Sequence, residues 1–159
     1  MAEQTERPQA QVRGLYFEEF EVGYEIVSPG RTITETDVVN FAGLSGDYNQ
    51  LHTDAEFAAQ TPFGGRIAHG ILGLAIATGL AARLGFIEGT AEAFRSLTWK
   101  FSAPIMIGDT VTLHAKVVET KAMRRLGGGM ITFDVSLLNQ REEAIQKGQW
   151  KVLIKSRPE

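Results

Sequence analysis

The sequence predicts an α+β domain in which a curved antiparallel sheet wraps one buried helix, and three observations predict it. The first half of the chain carries helix signals and only one short strand signal. Between residues 67 and 84, Ile71, Leu72, Leu74, Ala75, Ile76, Leu80, Ala81 and Leu84 cover almost the whole circumference of a helix, as a helix enclosed by protein requires. The second half turns to runs of β-branched and aromatic residues. At 159 residues the chain suits one core. A loosely ordered polar tail is expected over residues 1–14 and a single domain over 15–157.

Ordered structure is expected from Tyr16 onward, with Ser28-Pro29-Gly30 as a turn and Arg31-Thr32-Ile33 as a short strand. Thr34 has the character of an N-cap and Asp37 follows at the third helical position. Val38, Val39, Phe41 and Ala42 then supply an apolar face up to Gly43 or Gly46. Asp54 offers a second N-cap for a short helix through Phe57, Ala58 and Ala59, which Thr61-Pro62-Phe63-Gly64-Gly65 interrupts. Gly85 is a natural stop for the apolar helix. Residues 97–101, 110–118, 130–138 and 146–154 read as strands of an antiparallel meander, with hairpin loops at the glycine triplet 127–129 and at 139–143.

Bulk properties exclude several function classes. A formal net charge of −3 gives no basic footprint for a nucleic-acid backbone. With no cysteine there are no disulfides, thiolate metal sites or cysteine nucleophiles, which fits a cytoplasmic protein. The polar start lacks the apolar run of a secretory signal, and His69 and Arg83 interrupt the greasy stretch before it can span a membrane.

The chemistry concentrates in residues 41–54. In a straight strand Asp47 and His52 point to opposite faces, and in a straight helix they diverge by about 140°, so only a turn brings them together. Gly46 can adopt a left-handed conformation, and Asp47 and Asn49 can bond back to the chain to hold such a turn. A carboxylate and an imidazole sharing one water would supply the base and the acid that hydration of an enoyl thioester needs, histidine and a desolvated aspartate both suiting neutral pH. Alternatively, Asp47 and Asn49 merely build an Asx turn and His52 is a surface histidine. Residues 63–72 form a glycine loop leading into the buried helix, where free N–H groups and a small Gly70 could make an oxyanion hole, or simply permit tight packing.

Two motifs in order, Ser45-Gly46-Asp47-x-Asn49-x-Leu51-His52-x-Asp54 and Arg66-x-x-His69-Gly70, resemble those of the MaoC-like dehydratases, whose best-known members are (R)-specific enoyl-CoA hydratases of the hot-dog fold. The resemblance extends over roughly residues 16–155. It implies that Asp47 and His52 are the catalytic pair, that Asn49 positions them, and that the Gly70 N–H contacts the thioester oxygen. It further implies reversible syn hydration of a trans-2-enoyl-CoA to an (R)-3-hydroxyacyl-CoA, no cofactor beyond the coenzyme A of the substrate, and a homodimer joined edge to edge, higher assemblies being an alternative. Many relatives carry proline where this chain has Gln50, which removes a rigidifying residue from the turn.

Phe41, Leu51, Phe57 and Ile71 are candidates to position the acyl group, each equally suited to the core. Arg124 and Arg125, with Lys121, form a basic loop that could attract coenzyme A phosphates or be a solvated hairpin tip, and Arg66 is a further candidate cation. His69 either donates at the site or packs at the helix start, and His114 is expected to be structural. A metal centre is not expected, since His52 and His69 match no usual ligand spacing. A hot-dog thioesterase and a non-catalytic acyl-binding subunit are the competing functions.

Overall fold

A computed structural model describes residues 13–159. The expected loose tail therefore lies outside the described residues except at its end, where the Gly14 N–H donates to the Gly85 carbonyl at 2.9 Å and anchors the chain entry. After a 3-10 turn at Phe17–Glu19, two short strands follow, β1 (Glu25–Val27) and β2 (Arg31–Thr32). Then come four helices, α1 (Glu35–Ser45), α2 (Gln50–Thr53), α3 (Ala55–Ala59) and α4 (Gly70–Arg83). Four long strands complete the domain: β3 (Ala91–Phe101), β4 (Thr110–Met123), β5 (Gly128–Leu138) and β6 (Ala144–Lys155).

The strands form one six-stranded antiparallel sheet of order β1-β4-β5-β6-β3, with β2 also paired to β4. This curved sheet packed on one long helix is the α+β hot-dog architecture. A simple meander of the four long strands is corrected. β4, β5 and β6 do follow one another through hairpins, but β3 lies beyond β6 at the far edge. Residues 102–109 carry the chain across. They are too long for a tight hairpin and carry Pro104, and they are held by the Ser102 and Ala103 N–H groups on the Ile145 carbonyl.

The core lies between α4 and the concave face of the sheet. Leu72, Ile76 and Leu80 meet Leu113, Ile131 and Val135 there, each buried large side chain stabilising the fold by about 1.5–3 kcal/mol. The enclosure of α4 is narrower than its composition suggests. Leu72, Gly73, Ile76, Ala77, Leu80 and Ala81 are buried, whereas Ile71, Ala75 and Thr78 are exposed in the single chain.

Candidate active site

The turn that joins Asp47 to His52 is built by three successive caps. The Thr34 hydroxyl accepts from the Asp37 N–H and the Asp37 carboxylate accepts from the Thr34 N–H, which starts α1 where the sequence places it. Gly46 ends the helix in the left-handed region at φ 76°. Asp47 follows, its N–H donating to Ser45 Oγ at 3.2 Å and its Oδ1 accepting from the Asn49 N–H at 3.2 Å. Asn49 Oδ1 in turn accepts from the Leu51 N–H at 3.0 Å and caps α2, an element the sequence pattern did not reveal. Both Asx turns are thus present, and they bring the acidic and imidazole groups together. Gln50 is the first residue of α2, a position that suits proline because its N–H has no helical partner and its φ is already helical. Glutamine there keeps the same helix.

One oxygen of Asp47 and one ring nitrogen each of His52 and His69 lie within 4.8 Å of one another. A water making two hydrogen bonds of about 2.8 Å spans about 4.6 Å, so Asp47 and His52 are placed to share one. His52 is half-buried, and its Nδ1 faces the Ile67 carbonyl at 2.8 Å. Because a carbonyl only accepts, Nδ1 carries the hydrogen and Nε2 the lone pair. Asp47 is exposed in the single chain, so the desolvated aspartate expected from the sequence is not found there.

His69 is 3% exposed and immediately precedes α4. Its ring lies on that of His52, with centroids 3.8 Å apart and 30° between the planes. This sets Gly70, one residue further on, beside the pair. Among the described residues none accepts from the Gly70 or Ile71 N–H, leaving the positive end of the helix open. A groove of about 350 Å³ opens there, lined by Phe63, Ile67, Gly70, Phe101, Pro104 and Gln146. Hollows of about 500 Å³ lie elsewhere, over Gly148 and beside Arg157, away from this cluster.

Gln146, in the sequence only the first residue of an expected strand, locks the helix start to the sheet. It is 2% exposed, donates from Nε2 to the Gly70 carbonyl at 3.0 Å and accepts from Trp99 Nε1 at 2.9 Å. A Cβ on Gly73 would lie 2.4 Å from the same Nε2, so the close approach requires glycine. An amide at a buried strand position was the available signal.

The other sequence candidates divide. Phe41 packs on His69 with ring centroids 4.9 Å apart, and the Leu51 carbonyl accepts from the Ile67 N–H at 3.4 Å. Phe57 and Ile71 are 43% and 56% exposed rather than core. Arg66 pairs with Glu35 at 2.5 Å, tying α1 to the loop before α4. Arg124 and Arg125 lie at the β4–β5 tip. Gly128 at that tip pairs with Lys155 while Leu137 pairs with Gln146, which sets the tip about 30 Å from the groove of its own chain. His114 is on an exposed position of β4, opposite Val27 and Ser136.

A family model described as the MaoC-like domain matches residues 19–136. The 3-hydroxybutyryl-CoA dehydratase of Methylorubrum extorquens is 42% identical over 117 residues, 72% of this chain and 71% of that one. The (R)-specific enoyl-CoA hydratase of Rhodospirillum rubrum is 42% identical over 103 residues, 64% of this chain and 69% of its own length. Among solved structures, a monoamine oxidase regulatory protein from Archaeoglobus superposes with a TM-score of 0.86 at 36% identity, covering 93% of this chain and 99% of that one.

Proposed function

This chain belongs to the family of MaoC-like dehydratases, and from that premise we propose that it is a hydro-lyase adding water reversibly to a trans-2-enoyl-CoA thioester. The observation that carries this reading is the meeting of Asp47 and His52 within 4.8 Å beside the open start of α4. A water held between the Asp47 carboxylate and His52 Nε2 bonds through oxygen to the β-carbon. One member of the pair takes its proton, and a proton from the pair goes to the α-carbon, so one water is added in full. The Gly70 N–H stabilises the enolate oxygen that forms between these steps. Addition from one side makes the reaction syn, and the names of the relatives support the (R) hand and the acyl-CoA class.

Neither metal nor redox cofactor enters the proposal. Of the arginines predicted for the coenzyme A end, Arg66 adjoins the groove-lining Ile67, whereas Arg124 and Arg125 lie at the far tip of the same chain. A homodimer is part of the reading, supported by the free edge of β3 and the uncovered face of α4. No helix among the described residues is long and apolar enough to cross a membrane. A cytoplasmic place of action is proposed with the rest, in keeping with the absence of cysteine.

Crotonyl-CoA tests the reaction. Hydration removes the ultraviolet absorbance of the conjugated enoyl thioester without releasing thiol. Free thiol would identify a thioesterase, and binding with neither change a non-catalytic acyl-binding subunit. In deuterated water the product should be the (R)-3-hydroxy isomer with deuterium added from the same face as hydroxyl. Anti addition would demand a second proton donor and overturn the two-residue mechanism.

A further inference from the structure

His69 makes no capping bond at the head of α4. Its Nε2 faces the Asp47 main-chain oxygen at 2.9 Å, while its ring is held between those of His52 and Phe41. The carbonyl can only accept, so Nε2 carries the hydrogen and Nδ1 the lone pair. That Nδ1 is closed off from solvent and meets no donor among the described residues. A buried orphan acceptor is unfavourable, and a phenylalanine would fill the same aromatic niche without one. What the imidazole adds over phenylalanine is the N–H directed at Asp47.

The rest of the turn explains why that bond matters. Among the described residues, residues 46–49 are otherwise tethered only to near neighbours in the chain, Ala42, Ser45, Leu51, His52 and Thr53, and to one another. Among the described residues, the bond to His69 is the one hydrogen bond tying this loop to the segment that leads into α4. The same rigid ring supports the face of His52. We infer that His69 is a positioning residue of the proposed hydratase site, an inference that rests on that reading: donating through Nε2–H, it fixes the Asp47 main chain and the plane of the His52 ring together. With Nδ1 buried, His69 touches no reacting atom. It acts by holding two groups that must meet one water, where a displacement of about 1 Å is enough to slow turnover about a hundredfold.

Two substitutions separate the two contacts. His69→Phe keeps an aromatic face for His52 and loses the donor. His69→Gln places an amide N–H near the position of Nε2 and loses the face. With crotonyl-CoA, His69→Phe should lower kcat by about tenfold or more while KM stays within about twofold, and His69→Gln should recover part of that loss. Wild-type kcat in His69→Phe, or a change confined to KM, would overturn the role. A second measurement is independent of turnover and of variant folding: the histidine ring 15N–1H spectrum of the wild-type chain should show a hydrogen on His69 Nε2 that exchanges slowly with solvent. A ring with no hydrogen on Nε2 would equally overturn the inference. If that spectrum holds and crotonyl-CoA is not hydrated, the hydratase reading fails while the tether between His69 and Asp47 stands.

Discussion

Gln146 illustrates how single residues set this site. Replacing it with leucine removes the donor to the Gly70 carbonyl and the acceptor of the Trp99 indole N–H, both in a part-buried setting. An unsatisfied buried group costs about 1–3 kcal/mol, so Gln146→Leu should lower Tm by roughly 3–10 °C in a chain of this size, measured by calorimetry. Asp47→Asn and His52→Ala act on the chemistry instead. Each should reduce kcat on crotonyl-CoA by about a hundredfold or more in a variant whose circular dichroism remains native, and near-normal turnover in either would remove the assigned pair. Gly70→Val places its Cβ 2.9 Å from the Phe101 ring, at the wall of the groove. Turnover should be largely lost in a variant whose circular dichroism remains native, and ordinary activity would take Gly70 out of the site.

At the scale of elements, α1 and the clasp between the two described ends of the chain make separable predictions. No neighbour lies within 4 Å of a Cβ built on Gly46, so Gly46→Ala is opposed only by its left-handed backbone. That costs about 1–2 kcal/mol and moves Asp47, so both the chemical denaturation midpoint and kcat should fall. The 3-10 turn at Phe17–Glu19 is clasped to Ser156 and Arg157. The Ser156 hydroxyl holds the Glu18 carboxyl below its ordinary range, and the Tyr16 backbone N–H, with the Arg157 guanidinium, does the same for Glu19. Since folding lowers both values, the clasp is complete above the unfolded carboxylate value of about 4.3 and is lost as pH falls through the lower folded values. Hydrogen exchange at Tyr16 and Arg157, corrected for intrinsic rate, should therefore accelerate in acid before the β4–β6 core does. Uniform acceleration across the sheet would contradict the local clasp.

The whole molecule is left with an unfinished edge. β3 runs for 11 residues along the rim, exposed at most positions, with Phe94, Leu97 and Phe101 each 40% or more exposed. A long apolar edge strand invites pairing with another chain, so light scattering should report a homodimer and Leu97→Lys should shift it toward monomers. A monomeric wild-type chain would contradict that. The limits of the sequence are plain in this arrangement. Caps and breakers act over a few residues, so Thr34, Gly46, Asp54 and Gly85 marked their elements where the structure has them. The motifs likewise named Asp47, His52 and Gly70, which the fold brings together. Strand order, the tie from Gln146 to Gly70, the stacking of His69 on His52 and the remoteness of Arg124 from the groove join residues far apart along the chain. Periodicity and capping carry no information across such separations. What the sequence by itself determined is therefore the longer elements and the chemical groups of the proposed site. Only tertiary packing decided which distant residues hold those groups in place, because that depends on how the sheet closes over α4.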